Sequence, residues 1–167
     1  DDFLVCFYGK LAHGMTRDTF INTEVHGGYP AKGEVGRRLY LPPNSSSNAA
    51  FLIPFRDMLV LEVDGDRNGL PEELRLLSGT PRGWLAPGKH IEVRDAPTSF
   101  GVVSFRVEAT RGKVEAVLHL PERQTPDRVE LSLRLPRGER IQSVTVNGKR
   151  PMRFDPEHGV VDLSGLT

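Results

Sequence analysis

The segment Asp64-Gly65-Asp66-Arg67-Asn68-Gly69-Leu70-Pro71-Glu72-Glu73 concentrates the most specific chemistry in this sequence. Oxygen-bearing side chains alternate at Asp64, Asp66 and Asn68, and Gly69 follows. Such alternation lets side chains converge on one hard cation while the glycine makes the sharp turn, as a calcium loop requires. The Leu70 carbonyl and the Glu72 carboxylate would complete the ring. Ca2+ in a structural role is therefore the one cofactor the sequence suggests. Arg75 stands where an EF-hand places its bidentate Glu, which excludes a standard EF-hand. Asp, Asn and Gly also build ordinary turns, so a plain polar turn is the competing reading.

A second concentration of ionisable and aromatic groups comprises Arg17, Asp18, Glu24, His26 and Tyr29. Glycoside hydrolysis uses two carboxylates about 5 to 10 Å apart. Glu24 and Asp18 are of the type that chemistry needs, while Arg17, His26 and Tyr29 could bind a sugar hydroxyl or stack on a ring. A solvated loop without specific chemistry is the competing reading. Trp84, within Pro81-Arg82-Gly83-Trp84-Leu85, is either a sugar platform or a plug at the edge of a core.

Other chemistries lack their spacing. Ser45, Ser46 and Ser47 have no Gly-x-Ser-x-Gly elbow around them and read as helix caps. The five histidines (His13, His26, His90, His119 and His158) are scattered without zinc-ligand spacing. Gly27, Gly28 and Gly33 do not make a phosphate loop. Cys6 is the sole cysteine, which rules out an intramolecular disulfide, and its apolar helical neighbours predict a core position.

The elements that must position these groups fall into two halves. Phe3, Leu4, Phe7, Tyr8 and Leu11 recur at helical spacing over Asp2 to Met15, with Gly14 as a stop. A Gly- and Pro-rich loop is predicted from Thr16 to Asn44, then a helix over Ala49 to Val63 that Pro54 should kink. From about Leu74 the period becomes two: Val103, Phe105 and Val107; Val114, Ala116, Leu118 and Leu120; Val129, Leu131, Leu133 and Leu135. Val144 and Val146 predict one more strand, ending at the tight-turn pair Asn147-Gly148. The fold expected is mainly β: an antiparallel β-sandwich preceded by a short α-helical segment. Its parts would be helical residues 1–63, a joint at 64–85 and the sandwich at 86–167. Phe100, Phe105 and Phe154 are expected in its core, which leaves few aromatics for an exposed strip.

Lys plus Arg number 22 and Asp plus Glu 22, so no net field draws nucleic acid or anionic lipid, and neither is an expected partner. Hydrophobic residues at 38% and charged residues at 26% predict a folded chain. No apolar run approaches the roughly 20 residues that span a bilayer. The opening at Asp1-Asp2 and the close at Leu163 to Thr167 suggest a piece of something longer.

Tyr8-Gly9-Lys10-Leu11-Ala12-His13-Gly14-Met15-Thr16-Arg17-Asp18-Thr19-Phe20-Ile21, with Leu39-Tyr40-Leu41-Pro42-Pro43-Asn44-Ser45, resembles the end of the catalytic toroid in bacterial six-hairpin glycosidase-like proteins. Leu74 to Leu85 is similar to the joint where those proteins leave the toroid, and Val144 to Lys149 to a hairpin of their terminal sandwich. The 64–72 loop resembles the short calcium loops of dockerin-like and thrombospondin-type repeats. The first resemblance implies a toroid remnant, a 16–30 loop facing a sugar cleft, and Glu24 as its foremost carboxylate. The missing N-terminal part of the same protein would supply the rest of the cleft, so the isolated chain is expected to be inactive. The alternative is a non-catalytic β-sandwich module that binds carbohydrate or calcium.

Overall fold

The computed structural model describes residues 1–15, 21–23, 25–27, 38–40, 43–148 and 153–166. The chain divides into two units, Asp1–Arg56 and Asp57–Thr167.

In the first unit, helix α1 (Asp2–Gly14) and helix α2 (Ser45–Leu59, which runs on into the second unit) are joined by aromatic packing. The Phe7 ring stacks on Phe51 at 5.0 Å and on Phe55 at 6.2 Å, and Phe7 is buried. Cys6 is exposed, contrary to expectation. Neighbouring helical positions diverge by about 100°, so the turn that buries Phe7 carries Cys6 outward. The helix cap also differs: Asn44 Oδ1 accepts from the Ser47 N–H at 2.8 Å, and the serines lie within the first turn. The helix continues through Pro54. Part of the expected 16–44 loop is ordered pairing, strand β1 (Val25–Gly27) running antiparallel to β2 (Arg38–Tyr40).

The helix ends four residues before the predicted stop. Val60–Val63 is strand β3, pairing antiparallel with β4 (Glu73–Leu76). A short apolar run suits a buried strand as well as a helix, and the Leu74 and Leu76 partner strand decides the matter.

Six strands follow: β5 (His90–Thr98), β6 (Gly101–Thr110), β7 (Lys113–His119), β8 (Arg128–Ser132), β9 (Phe154–Asp155) and β10 (Val160–Asp162). They complete two sheets, a five-stranded one ordered β3-β4-β8-β10-β9 and a three-stranded one ordered β5-β6-β7. The inward residues of both share one core: Leu74, Leu76, Val129, Leu131, Val161 and Leu163 from one side, Ile91, Val103, Phe105 and Val107 from the other. Burying each such side chain stabilises the fold by about 1.5 to 3 kcal/mol. The chain is thus mainly β, a sandwich preceded by helix.

Several details depart from the sequence reading. β4 and β8 run parallel, Leu74 beside Val129 and Leu76 beside Leu131, while the other strand pairs of the sandwich are antiparallel. A parallel pair needs a long crossover, and here the entire β5-β6-β7 sheet supplies it. On β7 the alternation holds less well: Val114 and Leu118 are half-buried and Ala116 is exposed, because β7 is an edge strand facing the wider sheet's flank. Val144 to Val146 forms no strand; Val144 and Val146 pack on the core side, half-buried, without a continuous ladder among the described residues. Asn147 and Gly148 do turn the chain, with φ of 49° and 75°. Phe154 is 36% exposed at the sheet's short outer strand, whereas Phe100 and Phe105 are core.

Candidate functional site

The Asp-rich segment is the connection between β3 and β4. The ladder ends at Val63 opposite Glu73, and the Glu72 N–H donates to the Val63 carbonyl at 3.0 Å. The connection between them turns through left-handed backbone at Arg67 and Gly69, with φ of 61° and 88°. The far arm is fixed to β8, since the Asp127 N–H donates to the Glu72 carbonyl at 2.9 Å.

The side chains organise the loop from within. Asp64 accepts from the Asn68 N–H at 3.1 Å through Oδ1 and from the Gly69 N–H at 2.7 Å through Oδ2. Asp66 accepts from the Asn68 N–H at 3.1 Å and from the Asn68 side-chain amide at 2.9 Å. Glu72 Oε2 accepts from the Gly65 N–H at 2.9 Å, and Asn68 Oδ1 from the Leu70 N–H at 2.7 Å. One oxygen from each of Asp64, Asp66 and Glu72 lies within 4.8 Å of the other two.

That separation suits one ion. Oxygens bound to calcium lie 2.3 to 2.6 Å from it, so two ligands of one ion are at most about 5 Å apart. The donor set is all oxygen, and each carboxylate oxygen that accepts one N–H keeps a second lone pair. Of the five predicted ligands, the carboxylates of Asp64, Asp66 and Glu72 converge. Asn68 turns its carbonyl oxygen to the Leu70 N–H at 2.7 Å. Arg75 is occupied elsewhere, pairing with Glu73 at 2.6 Å and Glu130 at 3.5 Å on the sheet.

Arg17, Asp18, Glu24 and Tyr29 lie outside the described residues, and His26 is placed by its backbone on β1, opposite Leu39. Trp84 sits in a short 3-10 turn, Arg82–Leu85, half-buried against the shared core. His119 is exposed.

A second polar concentration, not singled out in the sequence, lines an open cleft of about 760 Å3 on the β8, β9 and β10 side of the wider sheet. Arg128 and Glu130 on β8 and Asp162 on β10 line it from the alternate positions, opposite in phase to Val129, Leu131 and Val161. The phase was legible; that these strands are neighbours was not.

No family model, curated protein or solved structure matches this chain.

Proposed function

We propose that this chain is a calcium-pinned accessory β-sandwich belonging to a larger carbohydrate-active protein, and that it is not an enzyme by itself. The observation that carries the reading is the convergence of Asp64, Asp66 and Glu72 within the span of a single cation. Asp64 and Asp66 leave the end of β3, and Glu72 precedes β4. An ion shared among them would neutralise three adjacent carboxylates and tie the two strands together. Its contribution would be structural.

The carbohydrate-active parent is supported by the resemblance of 8–21 and 39–45 to the end of a six-hairpin glycosidase toroid. On this reading Glu24 and Asp18 contribute carboxylates to a sugar cleft, with Arg17, His26 and Tyr29 contacting substrate. The remainder comes from the missing N-terminal part, and the sandwich stabilises it.

Calorimetry with CaCl2 tests the ion. Heat with one-to-one stoichiometry is expected, together with a melting temperature about 5 °C or more higher at saturating calcium, since ligand at 100 times Kd adds about 2.7 kcal/mol. Asp64→Asn with Asp66→Asn should abolish both; no heat and no shift in the unsubstituted chain would end the calcium reading. The parent is tested separately by assaying reducing-sugar release: Glu24→Gln in the full protein should remove the activity, and undiminished release would exclude Glu24.

A further inference from the structure

The open cleft beside β8, β9 and β10 has a volume of about 760 Å3, and the calcium reading leaves its lining unused. Arg128, Glu130, Arg153, Phe154, Asp162 and Ser164 define its chemistry. Most of the polar groups are held in place. Arg128 pairs with Glu130 and approaches Glu73 at 3.9 Å, and Glu130 also meets Arg75 at 3.5 Å. Asp162 accepts from the Ser164 hydroxyl at 2.6 Å and from the Ser164 N–H at 3.0 Å. That hydroxyl accepts in turn from the Val129 N–H at 3.1 Å. The result is a pre-ordered floor of alternating donors and acceptors, with the 36%-exposed Phe154 ring at its margin.

The occupant must match that pattern. Asp127, Glu130, Asp155 and Asp162 outnumber Arg128 and Arg153 in the lining, so an anion is disfavoured. Nor are the carboxylates grouped for a metal ion: among the described residues only Asp64, Asp66 and Glu72 bring three ligand-type side chains within 4.8 Å of one another, whereas in the cleft Glu130 lies between two arginines, Asp162 is held by Ser164 and Asp155 by His158 at 2.7 Å. A ligand with adjacent hydroxyls both donates and accepts. It can bridge a carboxylate and a guanidinium without breaking their pairing, and a ring with an apolar face can lie on Phe154. We infer that this cleft binds a neutral oligosaccharide, which makes the sheet surface itself a carbohydrate-binding site. The inference is independent of the calcium loop.

The test is an amide-resolved NMR titration of the full chain with three neutral probes (cellohexaose, xylohexaose and maltohexaose) and two charged controls (tetragalacturonate and hexalysine). At least one neutral hexasaccharide should shift the amides of Arg128, Glu130, Phe154 and Ser164. Phe154→Ala and Arg153→Gln, both at exposed positions and expected to melt like the unsubstituted chain, should each weaken binding about tenfold, the first through lost ring packing and the second through one lost charged hydrogen bond. The site is overturned by shifts from no neutral probe at 5 mM, by binding that neither substitution weakens, or by a charged control displacing the sugar from these amides. Repeating the titration with EDTA keeps this result separate from that of the calcium loop: binding that persists supports the cleft even if the loop takes no ion.

Discussion

The two sheets of the sandwich are built from opposite kinds of pairing. In β5-β6-β7 each strand bonds to the next along the chain, through turns at 99–100 and 111–112, and Val103, Phe105, Val107 and Ala109 present one unbroken buried row. The five-stranded sheet gathers β3, β4, β8, β9 and β10 from across the second unit, with the whole smaller sheet spliced between the parallel neighbours β4 and β8. The first sheet could begin to form from local contacts alone. The second forms only when distant segments meet, and its loop-closure cost is recovered by the shared core. Both candidate sites, the β3–β4 hairpin and the β8–β10 cleft, lie on this assembled sheet.

If one core serves both sheets, removing a large side chain from either should destabilise the same transition. Phe105→Ala, from β6, and Leu74→Ala, from β4, are each expected to cost about 2 to 5 kcal/mol in urea unfolding, in a single step. Two separated transitions, with each substitution moving only one, would mean that the sheets are independent.

The next effect isolates the assembled sheet. A Cβ at Gly159 would stand 2.4 Å from the Leu133 carbonyl oxygen, and Gly159 has φ of 71°. The Leu133 N–H donates to the Gly159 carbonyl at 2.7 Å, so the two backbones cannot separate freely. Gly159→Ala should cost about 2 kcal/mol or more, whereas Gly148→Ala, with φ of 75° but open space around it, should cost about 1 kcal/mol. Equal costs would show that the approach of 159 to 133 is not constraining.

Acid should distinguish the sheets more weakly. The Ser164 hydroxyl and N–H hold the Asp162 carboxyl below its ordinary range. On β5, the hydrogen bond from Arg94 does the same for Glu92. A depressed folded pKa gives stability that is present above the unfolded value, about 4, and lost as pH falls through the folded one. Carboxyl NMR titrations should therefore find both groups low. At about 1 M salt the Glu92 shift should shrink, because it rests on an exposed ion pair, and that of Asp162 should persist. An equal response to salt would remove the distinction.

The same contrast explains what the sequence disclosed. Period two on β6 reports directly which residues are buried, since its neighbours are the adjacent segments. The parallel β4–β8 contact leaves no mark in either strand, because Leu74 and Val129 would alternate identically beside other partners. Val60 to Val63 looked helical for a related reason: four apolar-rich residues show no period until a partner strand selects one. The Asp64, Asp66 and Glu72 convergence was legible because spacing within one hairpin sets it. The cleft was not, because Arg128, Arg153 and Asp162 meet only across strands.

Amide hydrogen exchange with and without calcium tests most directly whether the assembled sheet is pinned through its hairpin. The expected result is slower exchange at Gly65, Asn68, Gly69 and Leu70 and along β3 and β4, with β5 to β7 changed much less. Identical exchange in calcium and in EDTA throughout 60–76 would contradict it.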